Sequence, residues 1–257
     1  MERIRIVGVP VDAVTQDEVV DWIAGAIRGS TPRQVATVNP EFVMRAQHDR
    51  TFAAVLEQAD LCLPDGAGLL WAARRLGLRL PARVTGVDLI QALAAQAARE
   101  GWRIFFLGAR EGVADAAAAV VRAQNPGLVI AGTLSGSPEP SSDEEVVGMV
   151  RQARPDLLLV AYGAPAQDLW ISRNLAKTGA RVGIGVGGAF DFISGRSRRA
   201  PLWLRERGLE WLHRLWREPW RWRRMLALPA FALRVALSRR VEGTQTAARY
   251  SRRDRPG

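Results

Sequence analysis

Short apolar runs alternate with longer helical stretches through the first 195 residues, and that alternation leaves few folds open. The runs are 4–9, 34–38, 59–63, 103–107, 128–133, 157–161 and 181–186. Most are unbroken stretches of apolar residues, which is how strands covered on both faces of a parallel sheet read. The segments between them carry helix signals. Thr15-Gln16-Asp17-Glu18 is a capping box at the head of 15–28. Segment 87–100 sets Leu89, Ile90, Leu93, Ala94 and Ala97 on one face and stops at Gly101. Segment 113–124 runs into Asn125-Pro126-Gly127, and 142–153 precedes the Pro155-Asp156 entry to the next run. The expectation is an α/β fold: a Rossmann-like, mostly parallel sheet flanked by helices. In such folds ligands sit at the carboxyl ends of the strands, so the loops that follow the runs are where chemistry belongs.

Beyond residue 200 the pattern changes. No strand-like run remains, and Trp203, Trp211, Trp216, Trp220 and Trp222 fall close together. Segments 202–217 and 219–240 read as two helices parted at Glu218-Pro219. Charge divides at the same place. Residues 196–257 hold 17 arginines and five acids, a net of +12, whereas the first 195 carry a net of −2. A near-neutral body with a cationic extension points to a polyanionic partner: nucleic acid, an anionic membrane or a phosphorylated substrate. The expected organisation is an α/β catalytic domain over 1–195, a basic, Arg/Trp-rich helical membrane-associating appendage over 196–241 and a disordered tail over 242–257.

Several chemistries are excluded by residue counts. One cysteine, Cys62, rules out an internal disulfide and a cysteine zinc cluster, and two histidines, His48 and His213, rule out a multi-histidine metal site. No apolar run reaches bilayer-spanning length, and the opening Met1-Glu2-Arg3-Ile4-Arg5 lacks the apolar stretch of a signal peptide. These features read as a protein of the reducing, cytoplasmic side.

The loops after the runs offer six motifs. In Thr37-Val38-Asn39-Pro40 the two polar side chains point the same way; the pattern favours Asn39 as a helix cap, with sugar or phosphate binding as the alternative. In Leu63-Pro64-Asp65-Gly66-Ala67-Gly68, Asp65 is equally a cap or a general base beside glycines that admit a ligand. In Arg83-Val84-Thr85-Gly86-Val87-Asp88, Arg83 is a surface charge or a phosphate clamp. Tyr162-Gly163-Ala164-Pro165-Ala166-Gln167-Asp168 places Gln167 in the first turn of a helix, an ordinary connection or an anion and sugar site. The run from Gly183 to Gly195 is either a close-packed strand or a phosphate cradle with Asp191 near a ribose or uracil; it stands too late in the chain for a dinucleotide fingerprint. Finally, Arg214, Arg217, Arg221 and Arg224 are spaced to form one stripe among tryptophans, suited to a diphosphate at a membrane interface or to a solvated face.

Taken in order, over roughly residues 1–225, these motifs resemble the TagA/WecG/CpsF glycosyltransferases, glycosyltransferase family 26, and most of all the TagA-like N-acetylmannosaminyltransferases. The resemblance rests on Thr37-Val38-Asn39-Pro40-Glu41, Pro64-Asp65-Gly66, Arg83 to Asp88, Phe106-Leu107-Gly108, Gly163-Ala164-Pro165-Ala166-Gln167, Gly187-Gly188-Ala189-Phe190-Asp191, Arg199-Ala200-Pro201, Gly208-Leu209-Glu210-Trp211 and Arg214. One departure is Asp168, where the family usually has Glu. The resemblance implies an inverting transferase without an obligatory metal or other cofactor. It would move a sugar such as N-acetylmannosamine from a UDP-sugar to a polyprenyl-diphosphate-linked sugar such as undecaprenyl-diphosphate-GlcNAc, in teichoic acid or other cell-surface polysaccharide synthesis. By motif match Asp65 is the base, and Thr37, Asn39 and Gln167 orient donor or acceptor. Arg83 meets the leaving diphosphate. Gly187, Gly188, Phe190 and Asp191 line the substrate, and Arg214, Arg221 and Arg224 clamp the lipid diphosphate. The resemblance also implies peripheral attachment to the inner face of an anionic membrane and allows self-association. The competing expectation is a nucleotide- or nucleic-acid-binding α/β module with a basic arm and no transferase activity; it lacks a nucleic-acid fold signature.

Overall fold

The computed structural model describes residues 1–201, 203–204, 207–217, 219 and 222–238. Six parallel strands form the central sheet: β3 (Arg33–Val38), β4 (Leu61–Pro64), β5 (Arg103–Gly108), β6 (Val129–Leu134), β7 (Leu157–Ala161) and β8 (Val182–Gly185). Their order across the sheet is β4-β3-β8-β7-β5-β6. Alternate residues of each strand enter opposite cores, as a two-residue side-chain period requires. Val35, Leu61, Ile104, Leu159 and Ile184 face one helical layer. Ala36, Cys62, Phe105, Leu158 and Val160 face the other. The first layer is supplied by α1 (Gln16–Arg28), α5 (Gly86–Glu100), α6 (Val113–Gln124) and α9 (Ala189–Ile193). The second holds α2 (Pro40–Ala46), α3 (Arg50–Gln58), α4 (Ala67–Leu76), α7 (Asp143–Ala153) and α8 (Ala166–Thr178). The mostly parallel sheet flanked by helices is as the alternation predicts.

The run at 4–9 is not one strand. Val7 and Gly8 both take positive φ, 51° and 83°, and fold it into an antiparallel hairpin of β1 (Glu2–Ile6) and β2 (Val9–Ala13). Positive φ at both central residues is the signature of a two-residue turn whose twist matches the flanking strands. The hairpin stands outside the parallel sheet and is fastened to it by hydrogen bonds from an ion pair of its own, with Arg3 also donating to the Ala59 and Asp60 carbonyls that precede β4. Arg3 grips Asp12 with two bonds of 2.8 and 2.9 Å, and Asp12 Oδ2 accepts the Cys62 N–H at the head of β4.

The capping box at Thr15 forms as expected: Thr15 accepts the Glu18 N–H and Glu18 returns to the Thr15 N–H. In the carboxy-terminal region the expected helix over 202–217 is interrupted. Gly208 takes φ +72°, and a Cβ there would lie 2.6 Å from that of Ala67, so the chain turns where it presses on the start of α4. Helix α10 (Glu210–Arg217) follows, then α11 (Trp222–Met225) and α12 (Ala227–Leu237). Phe231 and Val235 of α12 are buried in the core that α2 and α4 share. Among the described residues no helix is long and apolar enough to cross a membrane. The expected tail at 242–257 lies outside the described residues.

Candidate functional site

A cleft of about 220 Å³ opens at the carboxyl ends of β3, β4 and β8, where the sheet topology places ligands. Three loops of the body form it. Asn39 to Glu41 follow β3, Asp65 to Gly68 follow β4, and Val186, Gly188 and Ala189 follow β8. The amino end of α5 closes one side with Arg83, Thr85, Gly86 and Val87. Arg199, Glu210, Trp211, Met225 and Leu228 arrive from the carboxy-terminal region.

Packing of small residues sets this convergence. A Cβ on Gly68 would stand 2.7 Å from Pro40, so glycine lets the Asp65 loop lie directly against the Asn39-Pro40 turn. A Cβ on Gly86 would stand 3.1 Å from the Val186 carbonyl oxygen, so the head of α5 rests on the loop after β8. Asp65 is held through its backbone: its N–H donates to the Val38 carbonyl at 2.7 Å, and the preceding Pro64 carbonyl accepts from Val84 at 2.9 Å. The cap of α4 is Gly66, at φ +97°, and no side chain bonds there. The carboxyl of Asp65 is therefore not a helix cap and is presented to the cleft.

The electrostatics of the cleft follow from four charged neighbours. Burial pushes the Asp65 carboxyl up to about 7. Arg83 and Arg199 pull it down, while Glu210 and Asp88 oppose them. Glu210 reaches Arg83 at 3.3 Å and Arg199 at 3.4 Å. Arg199 also forks onto Asp88 at 2.6 and 2.8 Å and donates to Thr85 at 3.3 Å. Thr85 caps α5 by accepting the Asp88 N–H. The result is a carboxyl of near-neutral affinity for protons beside two guanidinium groups and the positive end of a fifteen-residue helix. Such a site suits removal of a proton from a hydroxyl while negative charge develops on a neighbouring anion.

The other expected residues divide. Asn39 both caps α2, through the Phe42 N–H at 3.1 Å, and lines the cleft. Gly188 lines it as well. Thr37 and Gln167 do not line the cleft; each is buried beneath it. Phe190 points into the core against Phe106, with ring centroids 5.1 Å apart. Asp191 faces Arg196 at 4.0 Å, outside the cleft, while its neighbour Phe192 enters. Arg224 pairs with Glu41 at the rim, at 2.6 and 2.9 Å. The Arg214 side chain and all of Arg221 lie outside the described residues. The glycine run is a close-packed strand where it is buried: at Gly183 a Cβ would meet Leu175 at 2.9 Å. Arg199 and Glu210 were visible only as motif letters with no role, because nothing local in the chain brings positions 83, 88, 199 and 210 together. Among the described residues no three His, Cys, Asp or Glu side chains gather as around a metal.

Asp168 carries its own prediction. Its side chain is fully buried on α8 beside the Gln167 amide, and burial raises its carboxyl from an ordinary 3.8 to about 7, with Gln167 pulling it partly back. Across that interval the unfolded chain ionises this group while the folded chain keeps it protonated, so its contribution to stability is lost as pH rises through about 7. Asp168→Asn is expected to melt about 5 °C or more above the parent at pH 8, with the gap closing toward pH 4. A gap that stays constant across that range in thermal melts would refute the assignment.

Residues 4–245 match the family described as the Glycosyl transferase WecG/TagA/CpsF family. The chain is 37% identical over 202 residues to the N-acetylglucosaminyldiphosphoundecaprenol N-acetyl-beta-D-mannosaminyltransferase of Bacillus subtilis (strain 168), covering 78% of each chain. It is 28% identical over 243 residues to the protein of the same name from Staphylococcus aureus (strain MW2), covering 93% of this chain and 94% of that one.

Proposed function

The chain belongs to the WecG/TagA/CpsF glycosyltransferase family, and from that premise we propose that it transfers N-acetylmannosamine, or a related hexose, from a UDP-sugar to a polyprenyl-diphosphate-linked N-acetylglucosamine. The observation that carries the reading is the placement of Asp65 in a cleft with Arg83 and Arg199. The Asp65 carboxylate takes the proton of the acceptor hydroxyl as that oxygen attacks the anomeric carbon. The bond to UDP breaks on the opposite face, so the configuration inverts. The diphosphate leaves toward Arg83, Arg199 and the head of α5, whose first N–H groups and positive dipole end favour an anion. In this reading no metal is required, because the guanidinium groups neutralise the leaving charge.

The acceptor is a lipid, and the segment after residue 195 is suited to meet it. Trp203, Trp211, Trp216 and Trp222 are exposed there beside Leu212, Leu226, Leu233 and Leu237. Aromatic rings interleaved with arginines favour the boundary of an anionic bilayer. We place the protein on the cytoplasmic face of the membrane, bound peripherally through this segment. The test is a screen of UDP-sugars against a polyprenyl-diphosphate-GlcNAc analogue, reading UDP release and product mass. Product with one donor and this acceptor supports the reading; UDP release no faster than hydrolysis with every pair overturns it.

A further inference from the structure

We propose that Thr37 and Gln167 act in this transferase as positioning residues that clasp the end of β8 and the turn after it, Gly185 to Gly188, and do not touch substrate. The inference rests on the transferase reading for its effect on rate, and on geometry alone for the clasp.

Each half of the clasp is a buried polar side chain directed at backbone. Thr37, 4% exposed, donates its hydroxyl to the Gly185 carbonyl at 2.7 Å. Gln167, 1% exposed, accepts two N–H groups on Oε1: Gly187 at 2.9 Å, after β8, and Gly163 at 3.2 Å, after β7. Accepting two donors fixes which end of the amide is oxygen. The other end, Nε2, is shut away from solvent and turned toward Gly185 and the Asp168 carboxyl. Gly185 has no room for a side chain, since a Cβ would lie 2.5 Å from Gln167 Nε2 and 2.8 Å from Asp168 Oδ1. Its Cα is thus covered by Gln167 while its carbonyl is held by Thr37.

The clasped turn is the wall of the cleft. Val186 and Gly188 line it, Gly187 sits at φ +56°, and the Val186 carbonyl is the surface on which Gly86 of α5 rests. A shift of this turn therefore reaches the head of α5, and with it Thr85 and the Asp88–Arg199 pair. Interiors are too densely packed to absorb such a shift locally. Two polar groups have been taken out of water and given backbone partners, an arrangement whose reward is a fixed geometry.

The experiment measures turnover and amide hydrogen exchange in Thr37→Val, Thr37→Ser, Gln167→Ala and the Thr37→Val/Gln167→Ala double variant. Exchange at Gly187 is expected to quicken about tenfold in Gln167→Ala, and measurably in Thr37→Val, because a bond restraining the turn is lost. Thr37→Ser keeps the hydroxyl and should keep both the protection and most of the turnover. The double variant should lose little more than the worse single variant, since both act through one turn. Gly185→Ala places no new group in the cleft and should reproduce the loss. Turnover lost in Thr37→Val with protection at Gly187 unchanged would overturn the proposal, as would losses that multiply in the double variant. Should Gln167→Ala not fold, the valine and serine variants decide between the two outcomes. If the parent shows no transfer at all, the transferase reading has failed, and unchanged exchange in Thr37→Val then separately refutes the clasp.

Discussion

Asp65→Asn is expected to lower turnover by on the order of 10³-fold or more while UDP binds within about threefold of the parent affinity. The amide has nearly the same size and can keep the loop geometry, because the loop is held by the Asp65 N–H and the Pro64 carbonyl, not by the side chain. What it lacks is a lone pair basic enough to take the hydroxyl proton. In the proposed reading UDP is held by Arg83, Arg199 and the head of α5, which the substitution leaves in place. The pH profile supplies an independent readout. With the carboxyl pushed up to about 7 by burial, the active, ionised form is a minority at pH 6 and the majority at pH 8. The parent rate should climb across that range and level above it, and the residual rate of the asparagine variant should not follow that climb. Asp65→Glu restores the charge but carries it one methylene further, into a loop whose glycines already stand close to Pro40, so it should recover only a small part of the rate. Near-parental turnover in Asp65→Asn, measured as UDP release with lipid-linked acceptor, would remove Asp65 from the role of base.

The contrast between what the chain reveals locally and what needs the fold is sharp in this protein. Most of strands β3 to β8 are visible because a run buried on both faces needs no partner to be recognised; edge strand β6, only half-buried, is visible from its position between helix 113–124 and the next connection. The hairpin was hidden because a valine at positive φ is a poor turn signal, and 4–9 reads as a continuous strand until Val7 turns. The break at Gly208 depends on its contact with Ala67, about 140 residues away in the chain, which no helical periodicity contains. The same division governs the site. Asp65 is legible because it stands between proline and glycine directly after a buried run, and Arg83 because it stands in a loop, two residues after Pro81 and just before the start of α5. Thr37 and Gln167 share that setting, yet face inward. A strand end and the first turn of a helix have an inner and an outer side, and the sequence alone does not say which one a polar residue takes. Arg199 and Glu210 become meaningful only when the carboxy-terminal segment folds back over α5. The exposed tryptophans mark that segment in the sequence as a candidate membrane surface, while nothing local in the chain marks its contribution to the cleft.

The two arginines are expected to carry most of the binding of the leaving diphosphate. Arg83→Ala and Arg199→Ala should each lower kcat/KM by about 10- to 100-fold, and the pair by on the order of 10³-fold, since a hydrogen-bonded charge contributes roughly 1.5–3 kcal/mol. The two losses should not combine freely, because Glu210 bridges both guanidinium groups and removal of one frees it to pair with the other. Arg199→Lys separates charge from geometry. A lysine keeps the positive charge but not the fork that meets both oxygens of Asp88, so the head of α5 loses its tie to the carboxy-terminal segment. It should therefore behave nearer to alanine than to arginine. Glu210→Gln acts in the opposite sense on the same groups. The carboxylate occupies Arg83 and Arg199 when no diphosphate is present, and neutralising it leaves both cations more available to an incoming anion. UDP should bind that variant a few-fold more tightly, and the Asp65 carboxyl, relieved of one negative neighbour, should titrate at lower pH. Calorimetric titration with UDP reads the first effect and the pH–rate profile the second. Weaker UDP binding in Glu210→Gln would mean that the carboxylate holds the arginines in place for substrate and does not compete with it. An Arg83→Ala/Arg199→Ala variant with parental UDP affinity would place the diphosphate elsewhere in the cleft.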